Sequence, residues 1–442
     1  MAITENVTAA QVHHILDKHM LTDGYDIVLD LKKSKGGYLC DARNGNRYLD
    51  FFTFFASNPL GMNHPRLANR EFQDKMGQIA INKPSNSDIY TEELAAFVKN
   101  FSRIGIPDYL PYSFFISGGA LAVENALKVA FDWKVQKNFE KGYRQEKGHK
   151  VLHFEQAFHG RTGYTMSLTN TDPTKVKYFP KFDWPRVISP AVIYPETEDH
   201  LQQTIAREER AVAQAKRYFD IYKDEIACII IEPIQGEGGD NHFRKKFHES
   251  LRALADEHEA LLIYDEVQTG VGLTGKFWAH EHYVKPDILA FGKKTQVCGI
   301  LAGKRVDEIE TNCFHVPSRI NSTWGGNLVD MVRFGRILEV IEEENLIENA
   351  ARTGDYLLQN IRELAGQYEQ VTNARGKGLF CAIDFSGTDL RDAVIKECFN
   401  KKLMILSCGT KTMRFRPPLT VTKQHIDEAI DIIDDAIRTV LK

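Results

Sequence analysis

Ala260-Leu261-Leu262-Ile263-Tyr264-Asp265-Glu266-Val267-Gln268-Thr269-Gly270 is the stretch on which the fold turns. Its first five residues are apolar or aromatic without a polar partner at every second position. A strand that faced water on one side would alternate, so this one reads as covered on both faces, as in a parallel sheet. Runs of the same kind occur at Ser113–Ile116, Val151–Phe154, Ala227–Ile231, Asp287–Phe291 and Ile300–Ala302. Helix-period segments lie between most of them, with Val123, Ala126, Leu127, Ala130 and Phe131 on one face of the clearest. Strands alternating with helices predict an α/β unit with a mostly parallel sheet covered by helices on both sides.

Working outward, residues 1–60 mix a short amphipathic helix (Val12, Ile15, Leu16) with strand-like pieces at Tyr38–Cys40 and Tyr48–Phe52. Beyond about residue 330 the order becomes long helix, strand (Leu379–Phe385), a second strand region (Met404–Leu406, Met413–Phe415) and a final helix, a smaller α+β unit. The expected division is 1–60 as an N-terminal segment contributing to the small domain, 61–330 as the large domain and 331–442 as the small one. The 442 residues suffice for such cores. A net charge of -4 gives no general pull toward nucleic acid or anionic membrane, and neither is an expected partner. The start lacks the apolar core of a signal peptide, and no run of about 18 apolar residues occurs. Seven scattered cysteines point to reduced thiols and a cytoplasmic setting.

Open α/β sheets bind ligands at the carboxyl ends of their strands, so the residues just past each run matter most. Ser117-Gly118-Gly119-Ala120 precedes a helix expected over Leu121–Val135; small residues there let backbone N–H groups approach a phosphate, although a plain turn has the same appearance. Asp265-Glu266 ends its strand with two carboxylates, which are solvated or else aimed at a cation such as a protonated pyridine nitrogen. Phe291-Gly292-Lys293-Lys294 offers two lysines, solvated or else desolvated enough for one amine to attack a carbonyl. Glu232-Pro233-Ile234-Gln235-Gly236-Glu237-Gly238-Gly239 is a glycine-rich loop with two acids. Other chemistries fit less well. Gly270–Gly275 spells a dinucleotide fingerprint, but about ten residues separate it from Pro286, too few for the helix that motif opens. His248-Glu249, His258-Glu259 and His280-Glu281 each lack a second histidine at the spacing of a zinc helix, so no metal is expected.

Together these elements resemble the class III (omega) aminotransferases of fold type I. The resemblance covers most of the chain and keeps the family's order: the loop before the helix at 117–128, Phe158-His159-Gly160-Arg161, the loop Glu232–Gly239, the strand end Asp265–Gly270, the lysine, Thr323–Asn327 and Arg414–Leu419. It implies a large domain with a mostly parallel seven-stranded-type sheet beside a smaller α+β domain and pyridoxal 5'-phosphate as cofactor, and it gives each residue a role. Lys294 would link covalently to the cofactor and shuttle the proton. Asp265 would pair with the pyridinium nitrogen, Phe158 stack on the ring, Gly119 and Ala120 hold the phosphate, and Gln268 bond the ring hydroxyl. Glu232 would brace the site, while Ser322 and Thr323 would reach the phosphate of a neighbouring subunit, which requires a homodimer. Lys293 competes with Lys294. Adjacent side chains on extended backbone point to opposite faces, and counting back five residues from Gly299 selects Lys294. The sequence departs from the family at Cys298, in place of a glycine, and at Leu273, where many members have arginine.

Within the class, the wording at 117–128, 158–171 and 292–303 looks most like the lysine 6-aminotransferases. This implies transfer of the terminal amine of L-lysine to 2-oxoglutarate, giving L-glutamate and a semialdehyde that cyclises. Ornithine or 4-aminobutyrate as donor is the alternative, with aminomutases and decarboxylases more remote. Arg161, unless it forms an interdomain salt bridge, can offer a fork to the donor's α-carboxylate, with Asn321 among the substrate residues. Arg414 is the family's candidate for the carboxylate of 2-oxoglutarate and glutamate. The expectation is that Glu237 covers Arg414 while lysine is bound and swings aside for 2-oxoglutarate, on a backbone loosened by Gly236, Gly238 and Gly239; a permanent structural salt bridge is the competing reading.

Overall fold

The computed structural model describes residues 7–442. Residues 1–6, where the expected N-terminal segment begins, lie outside the described residues. A seven-stranded sheet runs in the spatial order Tyr112–Ile116, Cys298–Ala302, Ile288–Phe291, Leu261–Asp265, Ile226–Ile231, Lys150–Phe154, Arg186–Val187. Neighbours from Ile288–Phe291 through to Arg186–Val187 pair in parallel. Cys298–Ala302 is antiparallel to both of its neighbours. The two-residue edge strand Arg186–Val187 carries too short an apolar signal to be read from sequence.

Every residue of the central strands is buried. Their alternation decides which helices they meet. Cys228, Ile230, Leu261 and Ile263 pack with Ala126, Leu127, Ala130 and Trp133 of the helix Gly119–Glu140. Ile229, Ile231, Leu262 and Tyr264 face Ala211, Ala215 and Phe219 of Glu198–Ile221 and Phe247, Leu251 and Leu254 of Lys245–Glu257. Asp265 continues the set of Leu261 and Ile263, so the pleat points it toward the Gly119–Glu140 side, and Glu266 has the opposite fate described below.

A four-stranded antiparallel sheet, ordered Val371–Lys377, Phe380–Phe385, Thr412–Phe415, Leu406–Cys408, carries the helices Leu346–Ala365, Thr388–Asn400 and Lys423–Leu441. A three-stranded sheet joins Tyr38–Cys40 and Arg47–Asp50 to Leu403–Met404, which runs parallel to Leu49–Asp50. No helix among the described residues is long and apolar enough to cross a membrane.

Thr53, Phe54, Phe55 and Ala56 follow at φ of 40, 52, 61 and 62°. Four successive non-glycine residues in left-handed backbone cost about 1–2 kcal/mol each. The turn is held by Asp50, whose Oδ1 accepts the N–H groups of Phe52 (3.0 Å) and Thr53 (2.7 Å), and by Thr53 Oγ1, which donates to Arg416 O (2.7 Å). Its product is the placement of the Ala56 carbonyl against Lys294.

Candidate active site

The helix Gly119–Glu140 begins two residues earlier than the apolar periodicity suggests, with Gly118 at φ 113° as its cap and no side chain bonded to its first N–H groups. The amides of Gly119 and Ala120 are therefore open to an anion, reinforced by the helix dipole. A Cβ on Gly119 would lie 3.1 Å from Val267, and one on Gly160 would lie 2.4 Å from Ala120, so small residues are required where the two loops meet.

At the end of Leu261–Asp265 the two carboxylates diverge. Asp265 is 5% exposed; its Oδ2 is 2.8 Å from His159 Nδ1, and its Oδ1 accepts Val267 N at 3.0 Å. His159 was quoted as part of a motif but given no role by the sequence; only the fold brings it to Asp265, 106 positions away. Glu266 turns away from the site. Its oxygens accept His280 N (2.7 Å), Ala279 N (2.9 Å) and Thr269 Oγ1 (2.6 Å), with His280 Nδ1 at 3.0 Å. Burial raises its pKa, but His280 and Thr269 outweigh this and hold the group below the ordinary range. Glu232 is buried, accepting Phe158 N and Gly236 N, each at 3.0 Å, and burial lifts it to about 7.

Lys293–Thr295 forms one turn of 3-10 helix, with Lys293 at φ 55°. This corrects the expectation of extended backbone: in such a turn successive side chains diverge by about 120°, so strand alternation does not choose between the lysines. Lys294 is 2% exposed, and its Nζ donates to Gln268 O at 2.6 Å and Ala56 O at 3.2 Å. Burial, joined by the charges of Lys293 and Arg416, holds that amine well below the ordinary lysine range. Lys293 is half-buried with Nζ 5.8 Å above Phe55, and burial, with Arg414 next, brings it to about 8. Gly299 sits where a Cβ would meet Phe114 O at 2.3 Å, which explains that glycine. Cys298 Sγ would press on a Cβ at Gly292 at 3.0 Å. Leu273 is fully buried.

Arg414 stands on Thr412–Phe415, 1% exposed. Its Nη2 donates to Glu237 Oε2 at 2.7 Å, its Nη1 reaches Gln268 Oε1 only at 3.5 Å, and its Nε has no partner. A buried guanidinium with donors to spare fits a carboxylate ligand. Glu237 holds a second cation that sequence reading did not find: Lys175 Nζ donates to its Oε1 at 2.6 Å and lies 5.4 Å from the Phe158 ring. Burial raises Glu237, but Arg414 and Lys175 prevail and keep it ionised. Arg161 is exposed and forms no ion pair among the described residues, which disposes of the interdomain salt bridge. Asn321 is exposed, its Oδ1 accepting Ser322 N at 2.8 Å. Ser322 and Thr323 lie in a turn fastened through their carbonyls to Ser87 and Ser85, with Thr323 and Trp324 exposed. Among the described residues no hydrogen bond joins them to Gly119 or Ala120.

Open helix amides for a phosphate, a carboxylate at a strand end, a half-buried aromatic and a buried low-pKa amine are the groups that pyridoxal phosphate requires, so the residues present fit it. The chain matches the family model "Aminotransferase class-III" over residues 21–437. It is 52% identical over 436 residues to the L-lysine-epsilon aminotransferase of Mycobacterium tuberculosis, covering 98% of this chain and 96% of that protein. It is 31% identical over 427 residues to the mitochondrial 4-aminobutyrate aminotransferase of Homo sapiens, covering 92% and 84%. The solved structure of a lysine aminotransferase from M. tuberculosis superimposes with a TM-score of 0.96 at 53% identity, covering 98% of this chain and 100% of that one. With fold, site chemistry and full-length similarity in agreement, the chain belongs to the class III aminotransferases of fold type I and is a pyridoxal-phosphate-dependent transaminase.

Proposed function

We propose that the enzyme moves the terminal amine of L-lysine to 2-oxoglutarate in two half-reactions, yielding L-glutamate and 2-aminoadipate 6-semialdehyde, which cyclises to a piperideine carboxylate. The observation that carries this reading is the buried Arg414 covered by Glu237 at 2.7 Å. A donor that enters far amine first has no carboxylate beside the reacting carbon, and an open arginine there would seat the wrong end of lysine. Covered, Arg414 is neutralised; uncovered, it receives the carboxylate next to the keto group of 2-oxoglutarate. The exposed fork of Arg161 holds lysine's α-carboxylate at the mouth, and Asn321 is assigned to the same substrate. Similarity to lysine aminotransferases at 52–53% identity, against 31% to a 4-aminobutyrate enzyme, supports the same choice.

Pyridoxal phosphate supplies the electron sink for both half-reactions. In this reading Lys294 would be the covalent anchor, with its Nζ as the proton carrier. Asp265, fixed by His159, would hold the protonated ring nitrogen. Phe158 and Gln268 would hold the ring. Gly119 and Ala120 donate to the phosphate, and Glu232 steadies Phe158 through its backbone N–H. Ser322 and Thr323 complete the phosphate site of a partner subunit, which makes the working unit a cytoplasmic homodimer. The unit 331–442, joined by 1–60, carries Arg414 against the large unit 61–330; the pairing of Leu403–Met404 with Leu49–Asp50 supports this division.

An amino-donor screen with 2-oxoglutarate as acceptor tests the reading. L-Lysine is expected to give the highest kcat/KM for glutamate formation, with loss of its terminal amine. A preference for ornithine or 4-aminobutyrate would replace lysine as the donor and leave the class unchanged.

A further inference from the structure

The loop that bears Glu237 is pinned. Glu237 O accepts Gly409 N at 2.9 Å, and Gly236 N donates to Glu232 Oε2 at 3.0 Å. Arg375 donates from Nη2 to Gly239 O at 2.6 Å and from Nε to Asp240 O at 2.9 Å, and Arg416 Nη2 holds Asp240 Oδ1 at 2.6 Å. A Cβ at Gly236 would lie 2.4 Å from Gln268 Oε1, and one at Gly238 would lie 1.9 Å from Gln156 O. These glycines serve close approach, not mobility, which corrects the expectation that the backbone swings. If Glu237 leaves Arg414, its side chain alone must rotate, and the carboxylate needs a destination.

We infer that Lys175 is that destination: a positioning residue that holds Glu237 away from Arg414 during the 2-oxoglutarate half-reaction. This rests on the covering of Arg414 proposed above. Glu237 already spans the two cations, Oε2 on Arg414 and Oε1 on Lys175, each within 2.7 Å. With lysine bound, the carboxylate bridges both. When 2-oxoglutarate arrives, Arg414 pairs with the substrate carboxylate and Lys175 with Glu237, leaving two neutral pairs. Without Lys175, two carboxylates share one guanidinium in a largely buried space, a like-charge arrangement that disfavours the substrate. Both Lys175 and Glu237 keep about a quarter of their side-chain surface, 25% and 23%, which places the exchange at the rim of the site.

The experiment uses the holoenzyme with Lys175→Met and Lys175→Arg. Glutarate, a five-carbon dicarboxylate that cannot react, is titrated by calorimetry, and single-turnover rates are taken for each half-reaction. Lys175→Met is expected to weaken glutarate about tenfold and slow the 2-oxoglutarate half-reaction similarly, with the lysine half-reaction within about twofold. Lys175→Arg should restore both. In a Glu237→Ala background, Lys175→Met should have no further effect. Unchanged glutarate affinity, equal losses in both half-reactions, or an effect that persists without Glu237 overturns the role of Lys175. If Glu237→Ala by itself leaves the balance between half-reactions unchanged, the covering of Arg414 fails first. Lys175→Gln replaces Lys175→Met should the latter melt early, with the same outcomes deciding.

Discussion

At the residue scale, Lys294 and Glu232 show how burial converts ordinary side chains into chemical ones. Lys294 has lost its water, and burial, with the charges of Lys293 and Arg416, holds its amine well below the ordinary lysine range although two carbonyls accept from it. Borohydride reduction of the yellow holoenzyme should fix the cofactor to Lys294, and label on Lys293 would move the assignment one position. Lys294→Ala should still bind cofactor weakly through Gly119, Ala120 and Asp265, while turnover falls by about 10³-fold or more. Glu232 gives a pH signature. Its pKa is 4.5 when exposed and about 7 in the folded site. The native state therefore holds a proton that the unfolded chain releases, so this contribution is complete below about pH 4.5 and lost as pH rises through 7. Glu232→Gln should lose less stability than the parent between pH 5.5 and 8, by about 1–3 kcal/mol. Its altered hydrogen bonding adds an offset that pH does not change. Calorimetric melting of the cofactor-free protein at both pH values measures the difference, and parallel curves would remove burial of Glu232 as the cause.

At the scale of elements, glycines of similar composition do opposite things. Gly238 lies where a Cβ would meet the Gln156 carbonyl at 1.9 Å, and the chain two residues beyond Gln156 carries Phe158. Gly238→Ala should destabilise by about 2 kcal/mol or more and weaken cofactor binding, because the displaced backbone leads to the stacking ring. Gly77 sits inside the exposed helix Arg70–Ala80 with nothing within 4 Å of its Cβ position. Gly77→Ala should instead stabilise by up to about 1 kcal/mol. Urea midpoints for the two variants check both signs, and a loss at Gly77 would show that its helix packs against something the single chain does not contain.

At the scale of the whole molecule, the proposed phosphate site draws on two chains. Gly119 and Ala120 present open amides, while Ser322 and Thr323 are displayed on an outer turn beside Trp324, which is 46% exposed. Phe55, next to the lysine turn, is 50% exposed. A second copy that covers these residues and lends its turn would complete both sites with one symmetric interface. Sedimentation at assay concentration should find a dimer or larger even oligomer, and Thr323→Ala should loosen the cofactor about tenfold while Lys294 remains competent. Full activity in a sedimenting monomer would contradict this.

Apolar runs such as Ala227–Ile231 and Ala260–Tyr264 were sufficient to read a parallel sheet, because strands covered on both faces leave no polar alternation. The strand ends were legible for the same reason: Asp265 and Lys294 are costly residues just where apolar runs stop. The edge strand Arg186–Val187 and the strand Val371–Lys377, with its exposed and charged positions, gave no comparable signal. Three matters were decided only by tertiary structure. Lys293 and Lys294 share a tight turn, since local φ and ψ follow from packing that no run of residues reports. His159 and Lys175 meet Asp265 and Glu237 across 106 and 62 positions, distances that only the folded chain closes. Gly236 and Gly238 proved to be contacts instead of hinges, because a glycine in sequence looks the same whether it is chosen for freedom or for the neighbour that leaves no room for a Cβ.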